Sequence, residues 1–403
     1  MCKLVFKIYK SFEEGDYVQL LIINNANWNS DAGDITLMYR RALAMQQKGV
    51  ETTFLSVINR DINQLYATHN NINIINTDPS NRMNDIINYI QKNKPDVICF
   101  YGNKTLFYFH KVINFLKNDN TYNPKIYIDM QGAIEEEIEF KKGINYLKSF
   151  PKYLFKKKIY KYCLSKCNGV FTVTDEMYKY CVNLSKSNLN NIKIRCGINS
   201  VIKTEQKLKY RNEIRKKYNI SDNKLVLCFS GYRSAWQKID ETIEFFKELD
   251  KNYEELYFAF FCNIDKDFLE LLEQSFPKKN YIVKFLNKAD YNKYLCACDV
   301  GFLLRDKKIT NQVAFPNKFS DYLNAGLLCC ISPYISEPIS ILEKYNLIHL
   351  NNSENKEEFL NKIKFRNENL TEYYKDTEKV CQEELLLTNQ ISRIFFDESR
   401  VIF

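Results

Sequence analysis

Proline and glycine are scarce, eight and eleven in 403 residues, which excludes a collagen-like or low-complexity chain. None of the thirteen cysteines forms a Cys-x-x-Cys pair, so a zinc ribbon or thioredoxin-type motif has no footing. Most stand inside apolar runs (Cys99, Cys228, Cys262, Cys329, Cys330), where a thiol behaves as a small hydrophobe. Their odd number and the lack of a secretory leader predict a reducing cytoplasm. Histidine is nearly missing: His69, His110 and His349 are too scattered for a metal triad or a nucleophile–base pair. No stretch approaches ~18 uninterrupted apolar residues, so no bilayer-spanning helix is expected.

What remains is an ordinary globular composition, 45% hydrophobic and 27% charged. At roughly 150–200 residues per domain the length predicts two domains, each able to bury a core. The net charge of +9 fits anionic substrates, a membrane surface or nucleic acid, and does not choose among them.

Short β-rich runs alternate with helical patterns. Val18–Ile23, Glu51–Val57, Ile72–Asn76, Asp96–Tyr101, Lys125–Asp129, Gly169–Thr174 and Ile192–Cys196 read as strands, with helices between them. The polar, Lys-rich stretch Ser200–Asn219 reads as a linker plus an exposed helix. The rhythm then restarts with strands over Lys224–Ser230, Leu256–Cys262, Tyr281–Phe285, Val300–Leu304 and Leu328–Ser332. This predicts an α/β chain of two Rossmann-like, doubly wound domains facing a cleft, over residues 1–199 and 200–385. A tail over 386–403 is expected to pack back on the body. Ligands in such sheets bind beyond the carboxyl ends of the strands.

Two segments of the second half carry chemistry. Phe229 to Lys238 (FSGYRSAWQK) joins a buried strand to a helix. Gly231 permits a close turn, and Arg233 and Lys238 set two cations near the helix N-terminus, a cradle for a diphosphate. Phe315 to Gly326 (FPNKFSDYLNAG) starts a helix after Pro316, with Lys318 and Asp321 one turn apart on one face. Taken singly, the plainer readings are a loop with solvated cations and a helix with an exposed ion pair.

Together the two segments resemble glycosyltransferases of the GT-B fold. Arg233 and Lys238, five positions apart, match that fold's Arg–Lys pair. The Pro-x-Lys-Phe-Ser-Asp-Tyr-Leu-x-x-Gly helix resembles the Pro-x-Lys-x-x-Glu-Tyr-x-x-x-Gly helix of family 4-like, bacterial polysaccharide-type members. The resemblance implies a donor site of Gly231, Arg233, Lys238, Asn317, Lys318 and Asp321, with the cations on phosphates and Asp321 on the ribose. It departs where the helix carboxylate is Asp rather than Glu, and where Val313 stands at the position of an earlier Glu.

In the first half, Asn29 to Asp34 resembles the acceptor-side Gly-rich loop, with Gly33 as its glycine. Tyr127 to Glu137 (YIDMQGAIEEE) is similar to the Asp-x-His-Gly…Glu-Glu segment of the same enzymes. Asp129 and Glu136 are therefore expected on the acceptor side. Gln131 takes the His position, so no histidine base is available there. The resemblance then implies a retaining reaction in which the donor phosphate accepts the acceptor's proton, with Arg233, Lys238 and Gln131 as the catalytic set.

Asp265-Lys-Asp267 mimics a metal-binding Asp-x-Asp, but its place before a helix predicts an N-cap. No metal site and no cofactor are expected. The stretch Phe140–Lys166 interleaves nine lysines with aromatic and aliphatic residues, which fits an anionic membrane surface or a solvated helix face with its apolar side on the core. An RNA surface is set aside because no nucleic-acid-binding motif accompanies it.

The whole reads as a cytoplasmic glycosyltransferase, peripheral on the inner face of the cell membrane. It would move a sugar from a nucleotide-sugar to a glycan or lipid-linked acceptor in capsule or lipopolysaccharide synthesis. The alternative is a GT-B protein that binds nucleotide or carbohydrate without catalysis.

Overall fold

A computed structural model of the chain describes residues 19–25, 33–56, 72–77 and 81–395. Two compact units emerge. One comprises the chain up to Asn199 together with the segment from Leu387; the other is Ser200–Leu386.

The first unit is built on a seven-stranded parallel sheet. Its strands are β1 (Leu20–Asn24), β2 (Thr52–Ser56), β3 (Asn73–Asn76), β4 (Val97–Tyr101), β5 (Lys125–Asp129), β6 (Gly169–Thr172) and β7 (Asn190–Lys193). Their order is β3-β2-β1-β4-β5-β6-β7, with Leu20 opposite Thr52 on one side and Val97 on the other. β1 is buried along its whole length, which is why it reads as a continuous apolar run rather than an alternating one. Helix Leu387–Phe395 completes this unit: Leu387 and Ile391 are fully buried in a core with Leu20, Met38, Phe54 and Tyr127. The Leu387 amide donates to the Ile198 carbonyl (2.9 Å), and the Arg195 amide donates to Gln390 Oε1 (2.8 Å).

The second unit has five parallel strands: β8 (Leu225–Ser230), β9 (Leu256–Phe261), β10 (Tyr281–Val283), β11 (Val300–Leu303) and β12 (Leu328–Ile331). The order is β10-β9-β8-β11-β12. Strand order reverses between β8 and β11, so this is the switch point where a doubly wound sheet opens a crevice for ligand. An aromatic cluster holds the helices to the sheet. Phe246 stacks on Phe258 at 5.0 Å and meets Phe302 edge-on at 4.8 Å; each such buried ring contributes roughly 1.5–3 kcal/mol. Among the described residues the twelve cysteines are unpaired, and all but Cys167 are buried.

The stretch Ser200–Asn219 corrects its sequence reading. Helix Thr204–Lys217 is exposed on one face only: Lys207, Arg211 and Arg215 are buried along the other. Arg211 and Arg215 both meet Asp299, at 2.7 and 2.8 Å, and Arg366 joins them at 3.1 Å. Asp299 also accepts the Val226 amide (2.7 Å), tying β8 to the residue that enters β11.

Candidate functional site

The site grows from the loops that leave β8 and β11 on either side of the switch point. Gly231, directly after β8, has φ +101°, a conformation that L side chains rarely adopt. A Cβ there would lie 2.5 Å from Lys318 Cε, so glycine is what lets the backbone lie against the lysine. Lys318 is set by its helix, Asn317–Ala325. Tyr322, one turn on, is fully buried; its hydroxyl accepts from the Ser230 amide (3.2 Å) and bonds Ser230 Oγ (2.9 Å). Any side chain at Gly301 of β11 would collide with the Tyr322 ring. Sheet, loop and helix are thereby locked together.

Lys318 Nζ donates to Gln237 Oε1 (2.7 Å) and sits over the Phe229 ring at 4.5 Å. The same Gln237 oxygen accepts from Arg305 Nη2 (3.0 Å), while Arg305 Nη1 donates to the Leu304 carbonyl (2.8 Å). Arg305 is buried directly after β11. Two cations thus converge on one neutral amide oxygen, and among the described residues neither forms an ion pair with a carboxylate. Burial, with Arg305 adding to it, drives the Lys318 ammonium pKa well below its ordinary value. Burial likewise lowers Arg305 to about 10. Unpaired charge in a low dielectric is costly, and an anion entering here would relieve it. This is chemistry suited to holding a diphosphate.

Arg233 and Lys238 lie in the same loop but are already paired. Arg233 forms an ion pair with Asp265 and stacks over Phe268 at 4.6 Å. Lys238 pairs with Glu241 and with Asp306 (2.9 Å). Burial pulls its ammonium pKa down, but Glu241 and Asp306 more than offset this and raise it. Asp265 is the N-cap of helix Lys266–Ser275, accepting from the Phe268 amide (2.9 Å). Asn317 opens its helix half-buried, and Asp321 is buried one turn further on.

Apolar surface gathers at the same edge. Tyr232, Ile264, Phe285, Ile309 and Tyr334 are exposed, and each follows the carboxyl end of a different strand of this sheet. Of the large apolar side chains this unit exposes among its described residues, only Phe365 lies elsewhere. A row of apolar groups beside convergent polar ones is what a small-molecule site requires.

In the first unit, β5 delivers Asp129 to its carboxyl end, where it is buried and engaged at both oxygens. Arg41 Nη1 donates to Oδ2 (2.7 Å) and Gln131 Nε2 donates to Oδ1. Burial pushes the Asp129 carboxyl up against the pull of Arg41. The arrangement fixes the loop after β5 and holds Gln131 by its amide group. Of the three adjacent glutamates, Glu135 accepts from Tyr153 (3.0 Å), Lys157 (3.0 Å) and Tyr180 (2.7 Å), and Glu137 pairs with Lys156. Glu136 is the exposed one. Gly33 is the first residue of helix Gly33–Gln47, while the rest of the expected loop, through residue 32, lies outside the described residues.

No protein-family model matches the chain, and no curated protein matches it by sequence. Solved structures do match. HepE from Anabaena, crystallised with UDP and glucose, superposes with a TM-score of 0.64 at 10% identity, over 93% of this chain and 98% of that one. WaaG, a glycosyltransferase of lipopolysaccharide biosynthesis, gives 0.63 at 11% identity, over 94% and 99%. TarM from S. aureus, with UDP bound, gives 0.63 at 10% identity, over 94% and 100%. The fold is GT-B.

Within this GT-B chain, the loop after β8 and the helix after β11 bring Gly231 and Lys318 into contact. The sequence reading missed Arg305 and Gln237. The signal for Arg305 was a cation two residues after the apolar strand β11, at the end where such sheets bind ligands. Val313 is buried behind helix Ile309–Gln312, so no carboxylate is supplied at that position.

Proposed function

We propose that this chain is a nucleotide-sugar-dependent glycosyltransferase whose donor diphosphate is held by Lys318 and Arg305 at the switch point of the second unit. The observation that carries the reading is the convergence of the buried Arg305 and the half-buried Lys318 on Gln237, with no acidic partner among the described residues, on a GT-B fold. Arg233 and Lys238 flank this pair and exchange protein carboxylates for phosphate when the donor binds, and Asp321 takes the ribose. UDP is the first nucleotide to try, because HepE and TarM were crystallised with it.

The cations stabilise the negative charge that grows on the departing diphosphate. The bond from the anomeric carbon to the phosphate oxygen breaks, the acceptor oxygen bonds to that carbon, and the acceptor's proton passes to the phosphate. This retaining course needs no protein base, consistent with Gln131 at the position where a histidine would stand. The acceptor is a glycan or lipid-linked glycan of a cell-surface polysaccharide, capsule or lipopolysaccharide, and the enzyme works without a metal at the cytoplasmic side of the membrane.

Thermal-shift screening against UDP-, GDP-, CMP- and dTDP-sugars tests the donor class, since a bound nucleotide raises stability by mass action. Stabilisation by one family, with sugar release in EDTA, is expected. No stabilisation by any of them would refute the donor reading, and activity lost in EDTA and restored by manganese would refute metal independence. A second reading, a GT-B protein that binds nucleotide without catalysis, is favoured by Val313 and by the engagement of Gln131 with Asp129. Stabilisation without any donor hydrolysis or transfer would select it.

A further inference from the structure

Helix Gly143–Lys166 of the first unit carries two apolar faces. Tyr153, Ile159, Tyr160, Cys163 and Leu164 are buried, together with Lys156. At 100° per residue, Ile144, Leu147, Pro151 and Leu154 fall on the opposite side at spacings of three and four. Yet Ile144 is 62% exposed, Leu147 65%, Leu154 44% and the neighbouring Phe155 59%. Half of all the large exposed apolar side chains among the described residues sit on this one helix. Phe155 meets Phe107 edge-on at 6.2 Å, which brings the 57%-exposed Tyr108 of helix Gly102–Asn118 to the same patch. Residues 141–148 are exposed without interruption, so the first turns stand clear of the unit's core.

The charge on this helix has one sign. The helix contains no Asp or Glu. Six of its seven lysines fall into two sets. Lys156 and Lys157 are tethered to Glu137 and Glu135 and anchor the helix to the body. Lys148, Lys152, Lys158 and Lys161 remain exposed beside the apolar stripe. The Lys156–Lys158 run, conspicuous in the sequence, is therefore mostly structural, and the outward chemistry lies towards the start of the helix.

We propose that this outward face docks on an anionic lipid bilayer, with Ile144, Leu147, Leu154 and Phe155 entering the headgroup region and the exposed lysines on lipid phosphates. A protein partner or a second copy would have to answer an apolar stripe on a helix whose only charges are cations. An anionic bilayer supplies both complements at once. The inference stands independently of the glycosyl-transfer reading, because nothing in it uses the second unit.

The test is sedimentation of the full chain with vesicles of phosphatidylcholine, alone or with about 30% phosphatidylglycerol. Binding at least about ten-fold stronger to the anionic vesicles is expected, weakening as salt shortens the screening length. Leu147→Ser with Leu154→Ser should reduce binding about ten-fold or more without altering the thermal melt, since both side chains are exposed. Lys148→Gln with Lys152→Gln and Lys158→Gln should remove most of the salt dependence. Equal binding to both vesicles, binding to neither, or wild-type binding by the serine variant would overturn the proposal. So would concentration-dependent self-association in solution that the serine variant loses, which would assign the face to a second copy.

Discussion

Two clusters of cations at opposite ends of the second unit's parallel sheet differ in what they face. At the amino ends of β8 and β11, Arg211, Arg215 and Arg366 surround Asp299, and their remaining donors reach carbonyls such as those of Ala297 (3.1 Å) and Lys224 (3.1 Å). Burial alone would raise the Asp299 carboxyl; the three guanidiniums outweigh it and hold it far below the ordinary range. At the carboxyl ends, Lys318 and Arg305 share a neutral amide oxygen. The first group has its carboxylate within the protein and is a staple. The second is incomplete, and what it lacks is an anion. Burial of charge by itself identifies neither a site nor a scaffold: Lys207, buried with no carboxylate in contact among the described residues, is satisfied by the Tyr374 carbonyl (3.2 Å) and the Thr377 hydroxyl (2.9 Å), whereas Lys318 and Arg305 share one oxygen at the ligand-binding end of the sheet.

The comparison can be broken at its strongest point first. Asp299→Asn strands three buried guanidiniums and should cost about 3–5 kcal/mol, read as an earlier urea transition of the second unit. A loss under about 1 kcal/mol would mean the arginines are satisfied by carbonyls alone. Next, Arg305→Ala and Lys318→Met should each weaken UDP binding by about 1.5–3 kcal/mol in calorimetry. Each should leave stability equal or higher, because a cation with no carboxylate partner among the described residues is removed. Marked destabilisation by both would turn the pair into a second staple.

A smaller effect is expected at Arg233 and Lys238. Their charges are already met by Asp265, Glu241 and Asp306, and a phosphate gains only the difference between old and new partners. Alanine at either should cost about 0.5–1 kcal/mol of UDP affinity. A loss exceeding that of Lys318→Met would restore the sequence-based ranking of these cations.

The smallest signal is a fraction of a proton. Because burial lowers the Lys318 pKa, the folded chain binds fewer protons there than the unfolded one. Its contribution to stability therefore rises with pH between the lowered and the ordinary lysine values. An arriving diphosphate reverses the shift, so binding takes up protons and weakens as pH rises from the lowered value towards the ordinary lysine value. Calorimetry in buffers of different ionisation enthalpy measures this uptake, and Lys318→Met should abolish it. Unchanged uptake in that variant would place the proton elsewhere.

The sheets were legible because buried parallel strands such as Leu225–Ser230 and Leu256–Phe261 are unbroken apolar runs, bounded by polar turns. The Gly231 loop and the Pro316 helix could be found because their chemistry is local. What escaped depended on distant partners. Arg211 and Arg215 look solvated until Asp299 is brought to them from 88 and 84 residues away. Asp129 was noticed as an acceptor-side carboxylate, but Arg41, 88 residues upstream, engages it. Arg305 follows an apolar strand as many turn residues do; only strand order puts it beside Gln237.

The return of Leu387–Phe395 to the first unit has a consequence for biosynthesis. The core around Leu20 and Phe54 closes only when Leu387 and Ile391 arrive, and the whole of Ser200–Leu386 is translated in between. On the ribosome the order of completion is thus inverted. The unit made second can finish folding first, while the unit made first waits, one wall of its interior unsealed, for a helix not yet synthesised.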